Sequence, residues 1–137
     1  MVRLIKEKKK ILLVDDDEIH LTTAEFFLKK EYEIYKAKSG EEALEYLCND
    51  KISPSVIMLD IIMPNMNGWE VFKKIRTTDF LKNIPVIFLT AVNDKAEREK
   101  AFKWGIADYI VKPFNMTLLI SCIQDVIKKY EEKNTKK

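Results

Sequence analysis

Four places in this sequence put a reactive side chain directly after an apolar run. Asp15, Asp16 and Asp17 follow Ile11-Leu-Leu-Val14, Asp60 follows Val56-Ile-Met-Leu59, Thr90 follows Val86-Ile-Phe-Leu89, and Lys112 follows Tyr109-Ile-Val111 with Pro113 behind it. If those run ends meet in space, the chemistry is constrained. Crowded carboxylates repel one another, so they either hold protons or need a cation. A donor set of oxygens without His or Cys suits a hard ion, Mg2+ above all. That ion takes one or two carboxylates and keeps water or phosphate oxygens as its other ligands. An ammonium and a hydroxyl beside it suit phosphoryl oxygens, because the cations neutralise charge and the hydroxyl donates a hydrogen bond. A carboxylate can supply the missing nucleophile by forming an aspartyl-phosphate. Taken singly, these residues have plainer readings. Asp17 suits a helix N-cap, Asp15 and Asp16 could add favourable charge at the same helix start, and Thr90 could close a turn. Their joint placement at four run ends favours the chemical reading.

The elements that must position these groups alternate. Five short apolar or β-branched segments read as strands: β1 at 11–14, β2 at 32–37, β3 at 56–59, β4 at 86–89 and β5 at 109–111. Four of them are apolar throughout, as in strands buried on both faces of a parallel sheet; β2 alternates, which places it at an edge. Between them lie amphipathic stretches. Ile19 to Leu28 form α1; Ala43, Leu44 and Leu47 mark α2 after Ser39-Gly40; Val71, Phe72 and Ile75 mark α3; residues 94–104, more polar, form α4. Met116, Leu119, Ile120, Ile123, Ile127 and Tyr130 recur at three- and four-residue steps along α5. This pattern predicts an α/β fold: a doubly wound, five-stranded parallel sheet of flavodoxin-like (βα)5 topology with helices on both faces. In such a sheet ligands bind beyond the carboxyl ends of the strands, which is where the four reactive groups fall.

The 137 residues suffice for one domain, expected at 9–131, between a basic tail at 1–8 and a Lys-rich tail at 132–137. With 24 Lys+Arg against 22 Asp+Glu, the net charge of +2 gives no reason to propose direct nucleic-acid binding or a membrane-surface role. No apolar run approaches the ~20 residues of a membrane span, and the charged N-terminus lacks a signal-peptide core. The expected location is the cytoplasm, with Cys48 and Cys122 as structural thiols.

The order and spacing of these motifs resemble the receiver domains of two-component response regulators. The likeness covers nearly the whole chain through Ile-Leu-Leu-Val-Asp15-Asp16-Asp17, Val-Ile-Met-Leu-Asp60-Ile-Ile-Met-Pro64 with Gly68, Ile-Phe-Leu-Thr90-Ala91 and Tyr109-Ile-Val-Lys112-Pro113-Phe114. The resemblance implies that Asp60 is the phosphoacceptor and that Mg2+ is bound by Asp16, by Asp60 and by the backbone carbonyl of Ile62, with Asp15 assisting through water. It implies that Thr90 is the switch hydroxyl, that the Ala91 amide and Lys112 meet the phosphoryl oxygens, and that Tyr109 is the aromatic that swings inward. It further implies a cis Lys112-Pro113 bond, a permissive backbone at Gly68, a histidine kinase or phosphotransfer protein as donor, and a downstream protein bound through the α4-β5-α5 face. Ile62 and Val92 occupy positions where polar residues are commoner in the family, so a slow loss of phosphate is expected. No output domain follows α5, which suits either a stand-alone regulator or a receiver cut from a longer chain.

Two other functions compete. Asp15-x-Asp17 also resembles the first motif of haloacid-dehalogenase-like phosphatases, with Asp15 as nucleophile and Asp17 as acid. That reading leaves Asp60, Pro64 and Gly68 without a role and lacks a later acidic pair. A receiver-like interaction module without phosphorylation would not need the set Asp16, Asp60, Thr90 and Lys112. Of the remaining residues, His20 reads as a partly exposed helix residue. Trp69 is expected to pack near the helix that follows the acceptor, and Trp104 to fall near the output face.

Overall fold

The computed structural model describes residues 7–135, with side chains to Lys133; the tails expected at 1–8 and 132–137 lie partly outside the described residues. Five parallel strands, β1 (Lys9–Val14), β2 (Tyr32–Ala37), β3 (Val56–Leu59), β4 (Val86–Thr90) and β5 (Asp108–Val111), form one sheet in the order β2-β1-β3-β4-β5. The alternating strand β2 is at one edge, as its pattern requires. This is the flavodoxin-like α/β fold expected from the sequence.

The continuous apolar runs are explained by the two layers they feed. Successive strand residues point to opposite faces. Leu12, Val14, Ile57, Leu59, Val86, Phe88 and Tyr109 pack beneath α2 (Gly40–Leu44), α3 (Gly68–Arg76) and α4 (Lys95–Lys103). Ile11, Leu13, Val56, Met58, Ile87, Leu89 and Ile110 pack beneath α1 (Glu18–Leu28) and α5 (Met116–Thr135). At the centre of the first layer, Phe88 makes edge-to-face contacts with Trp69, Phe72 and Tyr109.

Side-chain caps start four of the helices, with Asp17 in the role its sequence position suggests. Asp17 caps α1, Ser39 caps α2, Asp94 caps α4, and Asn67 with Glu70 forms a capping box on α3. Two features were not legible in the pattern. The helix begun by α2 continues as a π turn over Glu45–Asn49. The last helix runs on to Thr135, past the end of its amphipathic stripe, because Glu and Lys propagate a helix well without packing. Among the described residues no helix is long and apolar enough to cross a membrane.

Candidate functional site

Sheet register brings the reactive run ends together. Val14 pairs with Leu59, so Asp15 and Asp60 emerge side by side; the Asp60 amide extends the ladder by donating to the Val14 carbonyl at 3.0 Å. Thr90 pairs with Val111, and the Lys112 amide donates to the Thr90 carbonyl at 2.8 Å. The Lys112-Pro113 bond is cis.

One carboxylate oxygen from each of Asp15, Asp16 and Asp60 lies within 4.8 Å of the other two. Opposite ligands of an Mg2+ shell are about 4.2 Å apart, twice the ~2.1 Å bond, so small side-chain adjustments make these three a fitting set. Asp15 and Asp60 are buried and Asp16 is exposed. Buried carboxylates need partners, and both have them. Asp15 Oδ1 accepts from the Asp17 amide at 2.9 Å, and Asp60 Oδ1 accepts from the Ile62 amide at 3.3 Å. Lys112 bridges the other oxygens, its Nζ lying 2.5 Å from Asp15 Oδ2 and 3.3 Å from Asp60 Oδ2. A largely apolar cavity of about 480 Å3, walled by Leu13, Met58, Leu89 and Phe114, flanks Lys112.

The remaining residues singled out in the sequence fall around this centre. Thr90 is fully buried, and its Oγ1 accepts from the Val92 amide at 3.2 Å. Ala91 is exposed beside it. Tyr109 is buried, and its hydroxyl donates to the Val92 carbonyl at 2.7 Å; burial is the main cause that raises its pKa. Thr90 and Tyr109 therefore hold the same residue, one by its N–H and the other by its C=O. Ile62 is exposed and Val92 half-buried. Asp17 turns its carboxylate to the α1 amides of Ile19 and His20. Trp104 is exposed at the end of α4.

Cys48 and Cys122 are free thiols. Burial and a hydrogen bond to Asp108 push Cys122 up to about 12, which keeps it an inert thiol at neutral pH.

Gly68 earns its place through space rather than φ. Among the described glycines only Gly105 has a positive φ. A Cβ on Gly68 would stand 2.3 Å from the Asp60 carbonyl oxygen and 2.7 Å from Ile61 Cα. Its amide donates to the Ile61 carbonyl at 2.8 Å, so α3 starts hard against the acceptor loop.

Two relationships escaped the sequence reading. His20, half-exposed on α1 as expected, also reaches the centre: its Nδ1 is 3.0 Å from Lys112 Nζ. The only signal was its place three residues after the capping Asp17, in the first turn of α1. Trp69 also links α3 to α4, through a hydrogen bond from Nε1 to Glu97 and the Lys100 ammonium 4.5 Å above its ring.

Comparison with known proteins agrees with this geometry. A family model described as the response regulator receiver domain matches residues 11–124. The transcriptional regulatory protein CrdR of Helicobacter pylori is 40% identical over 110 residues, covering 80% of this chain and 50% of that protein. The solved chemotaxis protein CheY4 of Vibrio cholerae superposes with a TM-score of 0.80 at 30% identity, over 88% of this chain and 99% of that one. A CheY-like receiver domain protein from Methanospirillum hungatei gives a TM-score of 0.84 at 26% identity, over 93% and 99% of the two chains. The chain spans about half the length of the transcriptional regulators it matches.

Proposed function

Because this chain belongs to the response regulator receiver domain family, we propose that it takes a phosphoryl group onto the Asp60 carboxylate and reports it by a change of shape. The convergence of Asp15, Asp16, Asp60 and Lys112 at one sheet edge carries the reading. Receiver domains are generally signalling modules that partner with histidine kinases. Here residues 9–131 act as that module, in the cytoplasm, where receiver domains typically work.

An Asp60 oxygen attacks the phosphorus of a phosphohistidine on a histidine kinase or phosphotransfer protein; the P–N bond breaks, an acyl phosphate forms, and the imidazole stays with the donor. Asp16, Asp60 and the Ile62 carbonyl, with Asp15 assisting, would hold Mg2+, which would supply neutralisation of phosphoryl charge. Lys112 then leaves Asp15 for a phosphoryl oxygen, and the Ala91 amide meets another. The Thr90 hydroxyl turns to the phosphoryl group and gives up the Val92 amide. Since Tyr109 holds the Val92 carbonyl, the same motion reaches β5. The α4-β5-α5 face is then presented differently to a downstream protein, as a population shift biased by contacts made only with phosphate.

Acetyl phosphate with Mg2+ tests the reading without a kinase. Intact-mass measurement should find one phosphoryl group per chain, and none when the metal is chelated before acetyl phosphate is added. Turnover of many equivalents without a labelled chain would instead favour a phosphatase.

Asp17 separates the two readings further. As the α1 cap it serves structure, so Asp17→Ala should lower stability by about 1 kcal/mol in urea titration and leave labelling intact. Turnover of acetyl phosphate lost along with it would restore the haloacid-dehalogenase reading, in which Asp17 is the acid.

Ile62 and Val92 set the lifetime of the acyl phosphate. Two apolar side chains beside the acceptor give an attacking water no hydrogen-bonding partner. Ile62→Asn combined with Val92→Glu should shorten the half-life of the labelled protein by about tenfold, less than the ~100-fold at the lower end of what a fully positioned general acid or base contributes. A half-life equal to that of the unsubstituted protein would remove these residues from the account.

A further inference from the structure

We propose that His20 is a positioning residue that holds the Lys112 ammonium away from Asp60 and so weakens the grip of the site on a phosphoryl group. The proposal rests on the phosphoacceptor reading and adds to it a residue from outside the acid set. Three acceptors surround Lys112 Nζ: Asp15 Oδ2 at 2.5 Å, His20 Nδ1 at 3.0 Å and Asp60 Oδ2 at 3.3 Å. Asp15 Oδ2 and His20 Nδ1 are 3.3 Å apart; both accept from the ammonium, so they make no bond to each other and together form one side of the clasp. Asp60 forms the other side and has the longest contact.

An ammonium only donates, so Nδ1 offers Lys112 its lone pair and the ring N–H sits on Nε2. Nε2 faces Asp17 Oδ2 at 3.5 Å, and Asp17 is itself fixed as the cap of α1. An anchored carboxylate thus stands behind the imidazole. When a phosphoryl group on Asp60 draws the ammonium across, the contact with His20 is broken. That loss falls on the phosphorylated state alone, so it sets the equilibrium between the two positions of Lys112. Removing the imidazole removes the loss.

Fluorine NMR titration of beryllofluoride at saturating Mg2+ reads the grip directly. His20→Ala should bind about fivefold more tightly than the unsubstituted protein, the effect of one hydrogen bond. His20→Asn, whose amide oxygen can stand in for Nδ1, should return the affinity to near the original. The affinity for Mg2+ alone should not change. In a Lys112→Ala background the His20→Ala effect should vanish, because the two residues act through one contact. Equal or weaker binding by His20→Ala would overturn the proposal, as would a tightening that persists without Lys112. Failure of the unsubstituted protein to bind beryllofluoride would overturn the underlying reading instead, so the two failures are distinct.

Discussion

Replacing Asp60 with alanine is expected to abolish acetyl phosphate labelling, by a factor on the order of a thousand or more, the scale seen when a covalent nucleophile is deleted. Asp15, Asp16 and Asp17 remain in that variant, so the result also asks whether a nearby carboxylate can substitute. None is expected to. Lys112 holds Asp15 Oδ2 at 2.5 Å against 3.3 Å for Asp60 Oδ2, Asp17 is committed to the first turn of α1, and Asp16 is exposed rather than buried beside Lys112. The fold should survive, since Lys112 keeps its shorter contact with Asp15 and one of three crowded carboxylates has gone. Circular dichroism should therefore be unchanged while labelling disappears. Labelling that persists on Asp15 would place the nucleophile on β1 and refute the assignment.

Gly68→Ala should be the most damaging single-atom addition to the chain. The added carbon would meet three backbone atoms: Asp60 O at 2.3 Å, Ile61 Cα at 2.7 Å and Asp60 C at 3.0 Å. None of these can turn aside as a side chain can. Either α3 lifts from the acceptor loop, or the loop moves and Asp60 with it. The expected loss is about 3 kcal/mol, the upper range for overpacking, which lowers the melting temperature by roughly 10 °C for a domain of this size. Gly40→Ala is the natural control. Its neighbours are side-chain rather than backbone atoms: Met66 Sδ at 2.9 Å is flexible and can give way, while Val71 Cγ2 at 2.6 Å is buried and stiff, so its cost should be real but smaller. Thermal unfolding of both variants checks the comparison, and equal losses would show that the backbone contact at Asp60 is not special.

The sequence revealed most where one local pattern answered to one global requirement. Apolar runs such as Val56-Ile-Met-Leu59 fit strands covered on both sides, and the alternating pattern of β2 fits an edge. The acids, the threonine and the lysine stood at run ends, so a parallel sheet had to gather them. What stayed hidden depended on distance across the fold. Nothing local marks the π turn at Glu45–Asn49. Gly68 could be recognised as special, but its reason is the approach of the Asp60 backbone, which no spacing reveals. The helix α4 has a polar sequence and buries only Ala101. Its place depends on contacts from elsewhere: Trp69 to Glu97, Lys100 over Trp69, and Arg98 Nη1 donating to the Tyr109 carbonyl at 3.0 Å. A helix held by so few apolar contacts is a physically reasonable element to move in a switch. His20 was legible as a helix residue, yet its contact with Lys112 joins residues 92 positions apart.

A crystal structure of the chain with Mg2+ and beryllofluoride tests the central claim most directly. The account predicts beryllium on an Asp60 oxygen, the metal between Asp16 and Asp60, the Lys112 ammonium moved from Asp15 to a fluoride, and the Thr90 hydroxyl turned toward the same group. Beryllium on Asp15, with the metal shared by Asp15 and Asp17 and Lys112 still on its present partners, would contradict it.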